Sequence, residues 1–307
     1  MKKSLVFWIE QYLYKPNIAQ RLVSLFLLPL SWIYCFIVWI KYKNTTLKDY
    51  DIDVISIGNL SVGGSGKTPL TTALALRYEN VAIVLRGYGR RSKGLRVVSN
   101  GKEILCDVEI SGDEAMIYAH KVSNAIVIVS EKREEGILRA KEMGAKLVFL
   151  DDGYSKHFIK KLDILIDVES KNSFCLPSGP LREKIWKGKK VSIIKDGVDF
   201  KRVVHVENPM PKMALVTAIA RPQRLDPFLP ELTSKHYFED HYFFTKEELE
   251  WILYLSGADS LLVTYKDYVK IKDFDITISL LDLKIEVDEK VFKLIDNYVK
   301  DNHAKKD

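Results

Sequence analysis

Apolar runs rich in β-branched residues alternate with stretches of helical periodicity through most of this 307-residue chain. The runs predict strands at Val54–Ile57, Val81–Leu85, Ala125–Val129, Leu147–Leu150, Ile164–Val168 and Val191–Ile194. Apolar residues recur at helical spacing between several of them, over Thr68–Arg77, Asp113–Val122 and Glu131–Met143. Such alternation predicts a doubly wound α/β domain on a mostly parallel sheet. Gly94–Leu105 interrupts the rhythm with apolar residues on both sides of Asn100-Gly101, which reads as a hairpin insertion. Asp196–Lys212, carrying Gly197, Pro209 and Pro211, reads as a boundary. A second, smaller α/β unit is expected beyond it: strand Met213–Ile219, helix Lys246–Leu255, strands Ser260–Thr264 and Ile276–Leu280, and helix Glu289–Lys300. Thr264 and Asp267 read as the cap of a short helix, without a catalytic role.

The N-terminus follows another pattern. Leu22–Ile40 is 19 residues without a formal charge, rich in Leu, Ile, Phe and Trp. At about 1.5 Å per residue such a helix just reaches across a bilayer core. Arg21 stands on one side and Lys41 and Lys43 on the other, so charge gives no orientation. Pro29 lies inside the run and predicts a kink. A kinked helix embedded from one face keeps both basic flanks in the cytosol and is favoured over a full span; a buried core helix is the bland alternative.

Asp53–Pro69 brings in chemistry. A β-branched run leads into Ser61-Val62-Gly63-Gly64-Ser65-Gly66-Lys67-Thr68, and a helix-favouring stretch follows. This is the strand–loop–helix context of a phosphate-binding P-loop. The glycines turn backbone N–H groups toward phosphate, and the helix start adds its free N–H groups and dipole. Lys67 would reach the β- and γ-phosphates of a nucleotide, and Thr68 would ligate Mg²⁺. The usual spacing places glycine where this chain has Ser61, so Gly63 and Gly64 are expected to supply the flexibility. A plain glycine turn with a solvated lysine is the alternative.

Leu147–Leu150 ends in Asp151-Asp152-Gly153, the pattern of a strand delivering carboxylates to the Mg²⁺ shell. Ser111-Gly112-Asp113-Glu114 opens a helix, where Ser111 or Asp113 as N-cap, with Glu114 complementing the dipole, and a catalytic role are both open readings. Arg86-Gly-Tyr-Gly-Arg90 follows the second strand and is either a phosphate-meeting loop or a basic turn. Leu176–Glu183 reads as a rigid turn ending in the charged pair Arg182-Glu183. Asp240-His241 precedes a capping-box-like helix start at Thr245–Glu248.

Composition narrows the picture little. A hydrophobic content of 47% supports a buried core, and a net charge of +6 is too diffuse to indicate nucleic acid. The three cysteines are far apart without CxxC spacing, so neither a disulfide framework nor a zinc site is expected.

Taken together, the chain resembles the tetraacyldisaccharide 4′-kinase (lipid A 4′-kinase) family. The resemblance rests on Gly58-Asn59 with Val62–Pro69, Arg86–Gly89, Gly112–Glu114, Asp151–Tyr154, Leu176–Glu183, Ile219–Pro222 and Asp240-His241, in family order after an apolar helix. Ser61 is normal for that family. The resemblance implies an ATP-dependent, Mg²⁺-assisted kinase acting on a lipid A disaccharide 1-phosphate at the cytosolic face of the bacterial inner membrane, with no obligate protein partner. It implies Asp113 as base with His241 as its partner, Lys67 as a catalytic cation, and Thr68, Glu114, Asp151 and Asp152 as Mg²⁺ ligands. Asn59, Arg86, Arg182 and Glu183 would bind substrate. Ser155 stands where the family has glutamine, Tyr242 replaces a second histidine and Ala115 a proline. The expected organisation is a membrane-associated region (1–45), a P-loop kinase domain (46–198) and a smaller α/β domain (199–307). The alternative is a membrane-anchored P-loop GTPase or ATPase switch that binds a protein partner. A GTPase should carry an Asn-Lys-x-Asp segment; Thr264-Tyr-Lys-Asp267 has the wrong spacing and no other stretch fits.

Overall fold

Asp53–Gly58 forms β1, the strand at the heart of the larger sheet, and all six of its residues are buried. In the computed structural model, which describes residues 2–219 and 222–304, α4 (Lys67–Ala75), β2 (Val81–Leu85) and β3 (Arg96–Asn100) follow. The first three helices are taken up below. Next come α5 (Val108–Ser111), α6 (Asp113–Lys121), β4 (Ile126–Val129), α7 (Arg133–Glu142), β5 (Leu147–Asp151), β6 (Leu162–Ile166) and β7 (Ser192–Ile194). The strand order is β3-β4-β2-β5-β1-β6-β7, parallel throughout except for β3 against β4. Ile57 of β1 pairs in register with Asp151 of β5, so the phosphate loop and the acidic pair leave the sheet side by side. Alternation along the strands fills both faces. Ile55, Ile57, Ile83 and Phe149 pack with Leu70, Leu74 and Tyr118 on one side. Val54, Val84, Val148 and Leu150 pack with Ile137 on the other. The expected hairpin is half-formed: β3 pairs with β4 through a register shift between Val97 and Ser99, and its return is a single bridge from Ser99 to Ile104.

The second sheet holds β8 (Phe200–Glu207), β9 (Met213–Thr217), β10 (Ser234–Tyr237), β11 (Ser260–Thr264) and β12 (Ile278–Val287), in the order β10-β9-β11-β12-β8. A 3₁₀ turn (Pro222–Phe228), α8 (Lys246–Ser256) and α9 (Tyr265–Ile271) connect them, and α10 (Glu289–His303) ends the fold. The expected boundary segment Asp196–Lys212 is not all connection, because about half of its length is strand β8. Its period-2 burial is masked in the sequence by Lys201, Arg202 and His205. β8 and β12 run antiparallel and reach from one core to the other: Phe200, Ile285 and Val287 pack in the first, Val204, Val206 and Leu281 in the second. Helix α10, which follows the second unit in sequence, packs Val291, Phe292 and Ile295 onto the first sheet. Its end is fastened there by Asn302 Nδ2 donating to Asp53 Oδ1 (2.9 Å) and by His303 Nε2 at 3.0 Å from Asp53 Oδ2. Ala220, Arg221, Lys305 and Lys306 lie outside the described residues.

The apolar N-terminus forms α1 (Lys2–Tyr14), α2 (Ile18–Phe26) and α3 (Leu28–Lys43). The chain bends by 58° between α2 and α3. Pro29 sits in the first turn of α3, where its missing N–H is tolerated. No single helix among the described residues is long and apolar enough to cross a membrane; α2 and α3 together pass on length and composition. Leu22, Phe26, Trp32, Ile33 and Phe36 are exposed, which departs from a buried core helix. Cys35 of α3 is disulfide-bonded to Cys175, correcting the expectation of no bridge. The partners are 140 residues apart, and only the fold brings them together.

Candidate active site

The loop between β1 and α4 has Gly63 and Gly66 at φ 89° and 84°, a region closed to most side chains. Ser61 is not among the positive-φ residues, so its backbone has no need of glycine. It is buried, bridges Leu181 and receives the Asn59 side-chain amide at 3.1 Å. Val62 N–H donates to Pro180 O (2.9 Å), so the Leu176–Glu183 segment braces the loop from outside. The Ser65 hydroxyl is buried without a hydrogen-bond partner, as expected of a group awaiting an anion.

Lys67 opens α4 and donates to Asn59 Oδ1 (3.0 Å), with Asp152 Oδ1 at 3.5 Å. Arg182 donates to the same Asn59 oxygen (3.2 Å) and pairs with Asp152. Burial raises the Asp152 carboxyl, but the Lys67 and Arg182 charges outweigh it and hold the group below its usual range. Asn59, Lys67, Asp152 and Arg182 therefore form one cluster at the carboxyl edge of the sheet, where ligands gather in such folds.

Asp151 is buried, and its Oδ2 accepts the Tyr118 hydroxyl at 2.8 Å. Its Oδ1 has no hydrogen-bond partner. Burial pushes this carboxyl up, only partly offset by Lys67. Glu114 is pushed up to about 7 by burial and by the Asp151 charge; Lys266 and Lys67 act against the shift.

Gly112, and neither Ser111 nor Asp113, is the cap residue of α6, which corrects the capping reading. Asp113 is the helix's first residue, and its Oδ1 accepts Glu114 N–H at 3.0 Å. Its Oδ2 faces the second unit. His241 Nδ1 lies 2.9 Å away, with the ring N–H not aligned as a hydrogen bond, and Lys266 Nζ and Lys270 Nζ each lie at 3.6 Å. Lys266 also reaches Asp240 Oδ1 (2.9 Å) and His241 Nε2 (3.3 Å). An ammonium can only donate, so in the neutral ring Nε2 accepts from Lys266 and Nδ1 carries the proton toward Asp113; Asp240 Oδ2 also lies 3.5 Å from Nε2. Burial raises the Asp113 carboxyl, but the His241 contact and the Lys266 and Lys270 charges outweigh it and hold it low. His241 approaches over Gly89, where an added Cβ would lie 3.1 Å from its Nδ1.

Arg86 is exposed just past β2, apart from the Asp113 cluster but close enough to Arg133 and Lys156 to act on both. Glu183 Oε2 lies 3.3 Å from His157 Nε2, whose ring packs against Tyr42 and Tyr154. Thr68 sits half-buried in the first turn of α4. Sequence reasoning missed Tyr118, Lys266 and Lys270. The lysines stand four apart on α9, a spacing that puts them on one face, but nothing local says what that face meets.

A family model described as tetraacyldisaccharide-1-P 4′-kinase matches residues 23–202 and 198–300. The tetraacyldisaccharide 4′-kinase of Aliarcobacter butzleri (strain RM4018) is 46% identical over 310 residues, covering 97% of this chain and 99% of that protein. Its counterpart from Helicobacter pylori (strain HPAG1) is 47% identical over 296 residues, 95% of each. That of Campylobacter jejuni (strain ATCC 700819 / NCTC 11168) is 45% identical over 304 residues, 98% of each. Among solved structures, the "apo" form LpxK from Aquifex aeolicus in complex with ATP superimposes with a TM-score of 0.71 at 27% identity. It covers 90% of this chain and 99% of that one.

Proposed function

The chain belongs to the tetraacyldisaccharide-1-P 4′-kinase family, and from that premise we infer that it transfers the γ-phosphoryl group of ATP to the 4′-hydroxyl of a tetraacylated glucosamine disaccharide 1-phosphate, giving ADP and lipid IVA. Family membership sets the GTPase or ATPase switch aside. The observation that supports the site best is the Asp113–His241 pair, held across two sheets among charges that also act with Lys67 on Glu114.

Val62 N–H is taken by Pro180 O, so the N–H groups from Gly63 to Thr68 would cradle the phosphates, with Lys67 neutralising the transferring group. Asp113 would accept the hydroxyl proton as the sugar oxygen attacks the γ-phosphorus. The bond from that phosphorus to the β–γ bridging oxygen then breaks and ADP leaves. His241 would orient the carboxylate and pass the proton on. An ionised aspartate is a weak base, but phosphoryl transfer depends more on positioning and charge neutralisation. Asn59 and Arg182 would tie the P-loop lysine to the Leu176–Glu183 segment, while Arg86 and Glu183 would meet the phosphorylated sugar.

Thr68, Glu114, Asp151 and Asp152 would hold Mg²⁺, directly or through water. The donor set fits a hard cation: Asp151 Oδ1 is buried without a partner, and Glu114 is raised by the Asp151 charge, a penalty that a cation beside them offsets. Among the described residues no three His, Cys, Asp or Glu side chains could hold a metal ion by themselves, so nucleotide and water would have to complete the shell. When bound, Mg²⁺ supplies charge neutralisation at the β- and γ-phosphates.

The exposed apolar faces of α2 and α3 would seat in the cytosolic leaflet of the inner membrane, beside the acyl chains of the substrate. Tyr12 donates to Pro177 O (2.9 Å), Ser24 to Ser178 O (2.7 Å), Ser31 to Cys175 O (2.7 Å) and Tyr34 to Arg182 O (3.0 Å). These contacts couple the apolar helices to the segment carrying Arg182 and Glu183. The test is incubation of purified protein with γ-labelled ATP and tetraacyldisaccharide 1-phosphate in mixed micelles. Label should move to the glycolipid with wild type and not with Asp113→Ala; an unlabelled glycolipid with wild type overturns the reading.

A further inference from the structure

Two arginines from outside the P-loop unit cap its backbone. Arg202, on the β8 strand that runs between the two cores, donates Nη2 to Ser65 O at 3.0 Å. Arg224, in the 3₁₀ turn of the second unit, donates Nη1 to Gly64 O. The two acceptors are consecutive carbonyls at the tip of the phosphate loop. Arg202 lies so close over Gly66 that an added Cβ there would sit 3.1 Å from its Nη2.

The C=O and N–H of a planar trans peptide point in opposite directions. A guanidinium that grips the Gly64 carbonyl therefore turns the Ser65 N–H the other way. One that grips the Ser65 carbonyl does the same for the Gly66 N–H. Those N–H groups are the loop's anion donors, and a cradle works to the extent that its donors are aimed before the anion arrives. The cations also add positive charge behind the loop.

We propose that Arg202 and Arg224 are positioning residues of the nucleotide site, aiming the Ser65 and Gly66 N–H groups at the ATP phosphates from the linking strand and the second unit. The inference rests on the ATP reading above. It makes phosphate affinity depend on how the second unit is docked, a coupling that the P-loop alone does not contain.

The experiment is calorimetric titration of the full chain in detergent with Mg-ATP and, separately, with adenosine. The proteins are wild type, Arg202→Ala, Arg224→Ala, the two Arg→Lys variants, and Glu289→Gln. Glu289→Gln loosens the Arg77–Glu289 tie between the turn after α4 and the start of α10 without touching the loop. Each alanine variant should weaken ATP about tenfold, the size of one hydrogen bond made by a charged group. Adenosine binding should stay close to wild type and melting temperature should fall little, because Arg224 is exposed and the partner that Arg202 leaves behind, Asp196 at 3.1 Å from its Nε, is itself open to water. The lysine variants should recover part of the loss, since an ammonium still donates to the carbonyl, and Glu289→Gln should bind ATP as wild type does. Unchanged ATP affinity in both alanine variants overturns the inference, as does a loss shared equally by adenosine or by Glu289→Gln. Wild type failing to bind ATP at all would overturn the kinase reading itself; wild-type binding with indifferent arginines sinks only this proposal.

Discussion

His241 Nδ1 stands 2.9 Å from Asp113 Oδ2, although Asp113 opens a helix packed on the first sheet and His241 follows a strand of the second. Neither unit contains the pair by itself. Lys266 and Lys270, both on α9, converge on the same carboxylate. Packing of Met116 and Ile117 of α6 against Val269 of α9 fixes the approach of the two elements.

Asp113→Ala and His241→Ala should each lower turnover by about a hundredfold or more, the range of a positioned proton acceptor. The KM for ATP should change little, because neither side chain touches the P-loop. Residues acting as a unit are non-additive, so the double variant should lose little beyond the worse single one. Steady-state kinetics on the four proteins decide it: fully additive losses would show that the two act independently, leaving Asp113 alone as base.

Lys67→Ala should fold and fail. Asp152 keeps Arg182 as its partner when the lysine is removed, and Asn59 keeps the same guanidinium; Asp151 and Glu114 lose the Lys67 charge but keep the Tyr118 hydroxyl and the Lys266 charge. Turnover should nevertheless drop by about a hundredfold or more, since the lysine's charge is needed on the transferring phosphoryl group. Circular dichroism with a coupled ADP assay reads both halves; a well-folded variant of near-normal activity contradicts the P-loop assignment.

The parts of this site that are local in sequence are legible there. Strand, glycine loop, Lys67-Thr68 and helix follow each other within one supersecondary unit, and Leu147–Asp152 carries its own apolar strand and acids. Asp113 and His241 are different: spacing leaves each open between a structural and a catalytic role, and the family resemblance, not periodicity, joins them. The β8 strand is hidden because Lys201, Arg202 and His205 interrupt an alternation that buries only one side. Helix α10 is legible as a helix, but its docking on the first sheet depends on Asp53, whose bonds to Asn302 and His303 no local pattern announces. The Cys35–Cys175 bridge fails to show for the same reason.

A pH signature away from the active site comes from Lys161. Its side chain is fully buried with Asp163 Oδ1 at 3.2 Å, and burial pushes the ammonium down to about 8 from 10.5, against the opposing pull of Asp163. Between pH 8 and 10.5 the unfolded chain therefore holds more protons at this group than the folded one, so stability rises with pH there. The contribution is present above the unfolded value and lost as pH falls through the folded one. Relative to Lys161→Met, wild type should gain up to about 3 kcal/mol between pH 7.5 and 10.5, from the size of the shift. Chemical denaturation at a series of pH values measures the difference directly, and parallel profiles for the two proteins would contradict it.

The apolar helices give the last test. Trp32 and Phe36 of α3 are 68% and 58% exposed, while Ser31 on the same helix is buried and bonded to Cys175 O and to Ser178 N–H. One face of α3 therefore holds the active-site segment and another is left bare. Removing the whole N-terminus would confuse the two roles, because it would also strip the contacts that brace Leu176–Glu183. Trp32→Ser with Phe36→Ser changes only the bare face. Losing two large apolar anchors, each giving about 1.5–3 kcal/mol on burial, should cut vesicle binding by tenfold or more. Melting temperature should hold, and turnover should fall on substrate in vesicles but stay near wild type on substrate in detergent micelles. Flotation on anionic vesicles, run beside the two activity assays, separates the outcomes. A double variant that floats as wild type does would mean that this face is not what meets the lipid. Equal losses in vesicles and micelles would place Trp32 and Phe36 in the support of the active site instead.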